Sequence, residues 1–473
     1  MPFEMHPVRR RRISVAAVST LFSTLLFTLP GCAILNPPDR TELTQQALAE
    51  TALPAVWKFA KTPGEFDAET LGFELPEELA TLIREGQANN PDLRLAATRV
   101  EQSRIAVKAA GASLVPALGV GMQAGESAIP SSSLAMNGLA LIASWEIDVW
   151  GKTRSAQAAS KEQLISAELD TLYARQSIAA GVVKAWLAAV EANRQILLAQ
   201  EMLTLSEKQL ALIQVGQKVG RDTQHDVVTN QIAVKNSRNQ LLQSEQSLNA
   251  SKRALEILVG RYPAAEIGVA SNLPTEITPI PTGLPSDLAE RRPDLKAAES
   301  RFRAAFYNVE VAKKAKLPSI SLMAGLGVVD NNLLVLQKDL QNPVWGVTGR
   351  VLAPLFTGGA LEAQVEVKTA QQQEATVQYA KTMLNALNEI EGGLYADQML
   401  ADRYSLLNAQ LADQQTILEL LRVQVKVGKG NMYQLQQQQI TLASSKMSLL
   451  RLQNERLIQR VNLHLALGGI YKI

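Results

Sequence analysis

The feature that most limits what this chain can fold into is an internal repeat. Asn90-Pro91-Asp92-Leu93 is answered 202 positions later by Arg292-Pro293-Asp294-Leu295, and Leu114-Val115-Pro116 at the same offset by Leu317-Pro318. Later landmarks are answered 208 positions on: Glu146-Ile147 by Pro354-Leu355, Gly151 by Gly359, Val219-Gly220 by Val427-Gly428, and Leu255 to Gly260 by Leu463 to Gly468. A long fixed period means a duplicated structural unit. The offset changes by six between Pro116 and Glu146, which places a hairpin loop there, where length change is best tolerated.

Each copy reads as helix, two strands, long helix, turn, long helix. Proline costs about 3 kcal/mol inside a helix, and none occurs between Pro130 and Pro263 or after Pro354. Thr153 to about Val215 therefore predicts a helix of roughly 90 Å, too long for a compact globule. Aromatics at 5% against 47% apolar residues suit long helices packed through Leu, Ala and Val. Leu400, Tyr404, Leu407, Leu411, Gln414, Leu418, Leu421 and Val425 alternate four and three apart. Ile196, Ala199, Leu203, Ser206, Leu210 and Ile213 do the same, and Leu435, Leu442 and Leu449 fall seven apart. These are coiled-coil seams. They flank Val219-Gly220-Arg221-Asp222-Thr223 and Val427-Gly428-Lys429-Gly430-Asn431. There Gly supplies a left-handed stop and Thr or Asn caps the next helix. Each repeat thus ends in a hairpin of two antiparallel helices.

Residues 139–150 alternate. Leu139, Leu141, Ala143, Trp145, Ile147 and Val149 share one face; Ala140, Ser144, Glu146 and Asp148 share the other, with Ile142 and Trp150 as exceptions. Val347, Val351, Ala353 and Leu355 repeat the apolar face against Thr348 and Arg350, and Leu118–Ala124 and Ile320–Val328 are the partner strands. Apolar toward lipid and polar toward a lumen is the pattern of a membrane strand. Four strands cannot close a barrel, and open edges are not tolerated in lipid, so the chain is expected to oligomerise.

The N-terminus reads as an export signal. Arg9 to Arg12 precede the apolar stretch Ile13 to Leu29, followed by Leu29-Pro30-Gly31-Cys32. Cys32 is the only cysteine, so no intrachain disulfide can form and its thiol is available for acylation such as palmitate. Ala33 follows where Asp would favour inner-membrane retention. Without the signal the net charge is about −1, which gives no support to a nucleic-acid partner. No apolar stretch of about 18 residues follows Cys32, so a spanning helix is not expected. The predicted organisation is a signal peptide over 1–31, a lipid-anchored extended segment over 32–78, a first repeat over 79–263, a Pro-rich linker over 264–284 and a second repeat over 285–473. Strands fall at about 117–125, 139–150, 319–328 and 344–356.

Enzyme signatures are weak. Gly151-Lys152-Thr153 lacks the first glycine of a phosphate loop, Glu146 standing in its place. Gly119-x-Gly121-x-x-Ala124 leads into Ser/Pro-rich residues 126–133 rather than a helix. His6, His225 and His464 are scattered, so no metal, cofactor or catalytic set is expected. Asp170 and Glu191 are read as solvated helix faces. Glu146 and Asp148 are expected to face a pore or to pair with a neighbouring strand.

Together these segments resemble the TolC-like outer-membrane factors, and most closely the NodT-type lipoproteins of resistance-nodulation-division efflux systems. The residues that carry the resemblance are Cys32, the two Pro-Asp-Leu motifs, Ser144 to Gly151, Arg291-Arg292-Pro293-Asp294-Leu295, Pro354-Leu355-Phe356-Thr357-Gly358-Gly359 and the two Val-Gly turns. The resemblance implies a mainly α chain with a membrane β-barrel, assembled as a homotrimer with a 12-stranded barrel on a 12-helix periplasmic tunnel. It implies an outer-membrane channel, anchored through Cys32, that passively conducts small toxic compounds for an inner-membrane resistance-nodulation-division pump. A periplasmic adaptor of the membrane-fusion type would dock at Val219, Gly220, Arg221, Val427, Gly428, Lys429 and Asn431. The periplasmic gate would fall on His225, Asp226, Thr229, Tyr433, Gln434 and Gln437, and pore-lining positions on Glu146, Asp148 and Arg350. Gln434 and Gln437 stand where such channels carry acidic gate residues. A duct for type I protein secretion and a periplasmic coiled-coil or adaptor protein are the alternative functions.

Overall fold

The computed structural model describes residues 35–49, 54–60, 66–69, 71–123, 137–283, 285–330 and 344–471. Cys32, the export signal and most of the predicted loop between the first two strands lie outside the described residues.

Helix α1 (Arg40–Ala47) precedes the repeats, so the segment read as extended includes a helix. Asp39 starts it by accepting the Glu42 N–H at 2.8 Å. The first repeat runs α2 (Glu77–Asn89), α3 (Pro91–Ala112), β1 (Ala117–Gln123), β2 (Asn137–Ile147), α4 (Lys152–Lys218) and α5 (Gln224–Leu258). After a 3₁₀ turn at Pro285–Asp287, the second runs α6 (Leu288–Arg291), α7 (Pro293–Lys314), β3 (Ser319–Asp330), β4 (Val344–Leu352), α8 (Ala360–Lys426) and α9 (Met432–Ala466). The copies match in length: α4 and α8 have 67 residues each, α5 and α9 have 35.

The described residues sort into two units. The helical unit takes 39–104, 163–302 and 374–473. One of its cores gathers Leu43, Leu288, Leu295, Phe302, Met383 and Ile390; another gathers Leu79, Ile83, Val183, Trp186, Leu255 and Val461. The heptad seam of the second hairpin forms a smaller cluster of Leu418, Leu435 and Leu442, with Leu411, Leu421 and Val425 against it. In the first hairpin, Ser206 and Ser237 meet hydroxyl to hydroxyl at 2.9 Å inside the seam.

The Pro-Asp-Leu motifs close each repeat. Buried Asn90 donates from Nδ2 to the Leu258 carbonyl at 2.9 Å, while its Oδ1 accepts the Asp92 N–H at 2.8 Å. Arg292, 202 positions on, reaches the equivalent carbonyl, Ala466, at 3.0 Å. It also holds Asp294 and Glu389. Each motif therefore satisfies a carbonyl left over at the end of the returning helix. Gly260 and Gly468, just beyond, are left-handed at φ 80° and 82°. Of the two charges read as solvated, Asp170 pairs with Arg301 and Glu191 is half-buried and bonded to Gln195 at 2.8 Å. Burial raises the Glu191 carboxyl above the usual glutamate range, against the Gln195 bond and the Arg451 charge.

The other unit takes the described residues up to Pro38, with 105–162 and 303–373, and carries the sheet. Its strands form an antiparallel meander in the order β1-β2-β3-β4. Val120 opposes Leu141, Leu141 opposes Leu326, and Leu326 opposes Trp345. Because facing residues share a side of the sheet, one face is apolar between the Leu139–Val328 and Ile147–Ile320 rows: Leu118, Val120 and Met122 on β1, then Leu139 to Ile147, Ile320 to Val328 and Trp345 to Val351 on alternate positions. The opposite face is mixed: Gly119, Gly121, Gly138, Ser144, Glu146, Ser321, Gly325, Gly327, Gly346, Thr348 and Arg350 share it with Ala140, Ile142, Met323, Val344 and Leu352. Two strands stop earlier than the alternation predicts. β2 ends at Ile147, leaving Asp148, Val149 and Trp150 in a turn, and β4 ends at Leu352, ahead of Pro354. The Val149 N–H donates back to the Ile147 carbonyl at 2.9 Å, and Pro354 has no N–H to extend a ladder.

Candidate functional site

Two groups of residues carry the functional expectations, one in each unit. On the polar face of the sheet, Glu146, Ser321 and Arg350 stand in one cross-strand row. Glu146 is engaged by Lys152 Nζ at 2.5 Å, so its partner is the first residue of α4 rather than a neighbouring strand. Arg350 is exposed. Asp148 is placed differently from the other two. Left-handed Gly151, at φ 75°, turns the chain back. The Asp148 carboxylate then accepts the Thr153 and Arg154 N–H groups at 3.0 and 2.9 Å and Arg154 Nε at 3.1 Å. An anion on the free amides of a helix N-terminus is stabilising, so Asp148 is occupied as the start of α4, and its side chain is only 9% exposed. The alternation predicts Asp148 as a strand residue; the structure places it just beyond β2, in the turn that leads to α4.

At the hairpin tips of the helical unit, Gly220 and Gly428 share φ 75°. The Arg221 and Lys429 N–H groups bond back to the Gly216 and Gln424 carbonyls at 2.8 and 2.9 Å, and Gly220 and Gly428 to Gln217 and Val425. This is the Schellman stop, and it projects Val219, Arg221, Val427 and Lys429 into solvent, Val219 at 74% exposure. Thr223 begins α5 with a full capping box: its side chain accepts the Asp226 N–H, and Asp226 accepts the Thr223 N–H at 2.8 Å and hydroxyl at 2.6 Å. The Thr223 hydroxyl and N–H hold the Asp226 carboxyl below the usual aspartate range, with His225 nearby adding to the effect. Asn431 begins α9 by accepting the Tyr433 N–H at 2.9 Å, without a reciprocal carboxylate. His225, Thr229, Tyr433, Gln434 and Gln437 are exposed. Gln437 accepts from Gln209 across the hairpins at a long 3.4 Å.

The structure brings the gate and turn residues of each repeat together at one hairpin tip. It adds residues that motif reading passed over. Gly216 and Asp222 touch in the first tip; in the second the matching residues are Gln424 and Gly430. A Cβ on Gly216 would collide with the Asp222 carboxylate, and one on Gly430 would lie 2.5 Å from the Val425 nitrogen and 2.7 Å from the Gln424 carbonyl carbon. The two glycines exchange places between repeats, a signal available from aligning the halves. Among the described residues no cluster could hold a metal ion, and no helix is long and apolar enough to cross a membrane.

The family profile described as Outer membrane efflux protein matches residues 82–261 and 284–469. The chain is 28% identical over 467 residues to the pyoverdine export outer membrane protein OpmQ of Pseudomonas putida, covering 94% of this chain and 96% of that one. It is 25% identical over 403 residues to the cation efflux system protein CusC of Escherichia coli, covering 84% and 88%. In fold it is similar to the open state of the Neisseria gonorrhoeae MtrE outer membrane channel, with a TM-score of 0.80, 23% identity and 92% and 97% coverage.

Proposed function

The chain belongs to the outer membrane efflux protein family, and from that premise we propose that it works as a trimeric, passive exit channel. It is an outer-membrane component of an efflux system that extends into the periplasm. The observation that carries the reading is the sheet. It has four strands, one apolar face, one mixed face that is rich in glycine and carries Ser144, Glu146, Ser321, Thr348 and Arg350, and two open edges at β1 and β4. Unpaired backbone groups cost several kcal/mol each in hydrocarbon. Pairing β4 of one copy with β1 of the next removes every edge, and three copies supply 12 strands, a size found among bacterial barrels. The glycine-rich face then lines the lumen, with Glu146 and Arg350 as its charged row.

The hairpin tips form the periplasmic gate. Val219, Gly220, Arg221, Val427, Gly428, Lys429 and Asn431 offer an adaptor an exposed backbone turn with one apolar and one basic side chain per repeat. His225, Asp226, Thr229, Tyr433, Gln434 and Gln437 line the constriction, and opening separates the hairpins as a packing change biased by partner contacts. An inner-membrane resistance-nodulation-division pump supplies the energy and small toxic compounds are the cargo. Cys32 carries the lipid. Purified protein from outer-membrane fractions should migrate as a heat-modifiable trimer and conduct in planar bilayers. A species that remains monomeric, detergent-independent and pore-free would end this reading.

A further inference from the structure

A cavity of about 310 Å³ opens at the end of the sheet where β2 and β4 give way to their long helices. Its walls include Ile147, Trp150, Leu317, Leu352 and Leu361, and Lys314 lines it among them. Lys314 is the last residue of α7 and only 9% exposed. Its Nζ donates to Ser155 Oγ at 2.8 Å. An ammonium has three donors and a full charge, and one hydroxyl answers neither need. The carboxylates near it in sequence or across the cavity are committed elsewhere: Asp148 to Arg154, Glu146 to Lys152, Glu310 to Lys313 and Glu362 to Lys316. Among the described residues, none pairs with Lys314. A buried cation without a counter-charge is unfavourable unless something else brings one.

We propose that this cavity holds the headgroup of an anionic phospholipid, with its phosphate on Lys314. The inference rests on the reading that the sheet sits in the membrane. Three observations favour a lipid over a free anion. Ile147, Val149, Trp150, Leu317, Leu352 and Leu361 line the cavity beside its charged groups; the sheet above presents an apolar face; and Leu355 and Phe356, on the turn after β4, are 96% and 89% exposed, a ledge suited to acyl chains. Trp150 anchors the rim, its indole donating to the Pro318 carbonyl at 2.7 Å, as aromatic residues do at the boundary between lipid and water.

The test uses the full-length protein in detergent micelles, delipidated and then exposed to phosphatidylglycerol, to phosphatidylcholine or to inorganic phosphate, with bound lipid counted by native mass spectrometry. Phosphatidylglycerol should be retained in preference to phosphatidylcholine, and Lys314→Gln should weaken that retention about tenfold while Lys208→Gln leaves it unchanged. Leu361→Trp, which fills the cavity but keeps Lys314, should also abolish retention and guards against a misfolded lysine variant. Equal retention by the parent and Lys314→Gln overturns the proposal. So does equal retention of phosphatidylcholine, or full competition by inorganic phosphate. If Lys314→Gln separates the subunits while lipid retention persists, the counter-charge belongs to a second copy and the lipid assignment falls. Bilayer conductance on the same samples keeps the two readings apart: a trimeric pore without lipid preference refutes only the headgroup site.

Discussion

The two repeats share a backbone and differ in the chemistry that holds it. At the first closure Asn90, a neutral amide, meets the Leu258 carbonyl; at the second Arg292 meets Ala466 and gathers two carboxylates. At the first tip α5 starts from a reciprocal Thr223–Asp226 box, whereas at the second α9 starts from Asn431 alone. The close approach of turn and helix is relieved by a glycine on the helix in one tip, Gly216, and on the turn in the other, Gly430. A duplicated fold thus preserves positions where a polar group must be satisfied or a Cβ left out, while the side chain that does so is free to change.

The closures offer the largest test of this comparison. Arg292→Ala leaves Glu389, Asp294 and a helix-end carbonyl without their donor and should destabilise by roughly 3–5 kcal/mol. Asn90→Ala removes one neutral clamp and should cost about 1–2 kcal/mol. Denaturant unfolding of the two variants checks the order, and equal losses would show that the added charges contribute little.

Next come the glycines. Gly430→Ala pushes a methyl against backbone atoms and should cost roughly 1–3 kcal/mol. Gly216→Ala meets the movable Asp222 side chain and should cost less. The pair Gly216→Gln with Asp222→Gly copies the second tip into the first. In a double-mutant cycle its loss should fall below the sum of the single changes, and strict additivity would refute the exchange.

The caps give the smallest effects. Thr223→Ala should lower protection of the first α5 amides in hydrogen exchange by about 1 kcal/mol, and Asn431→Ala should do the same at α9 by somewhat less. Acid separates the tips more cleanly. Asp226 has its carboxyl held below the ordinary range, so its contribution is present above the pH where an unfolded aspartate titrates. That contribution is lost as pH falls through the lower folded value. Protection at α5 should therefore drop in strong acid, while α9, capped by an amide, should show no matching step. Parallel losses at both tips would remove Asp226 as the cause.

How much was legible beforehand differs by residue. The Val-Gly turns could be read because a left-handed stop needs glycine wherever the chain folds back. The sheet faces could be read because alternation is a property of the strand itself. Asp148 could not, because the same alternation runs on past Ile147, and only the turn at Gly151 shows that its carboxylate reaches the Thr153 and Arg154 amides. The missing acidic pair at Gln434 and Gln437 was visible in the sequence, but the weak 3.4 Å contact from Gln209 to Gln437 was not.

The sequence by itself determined the duplication, the long helices, the hairpin turns and the two-faced strands, since periodicity and backbone permissiveness are local properties written residue by residue. The tertiary structure decided which charges are spent on the fold. Arg292 meets Glu389 across 97 positions and the Ala466 carbonyl across 174, and Lys314 meets Ser155 across 159. Such pairings depend on where distant segments approach in space, and no period along the chain encodes them.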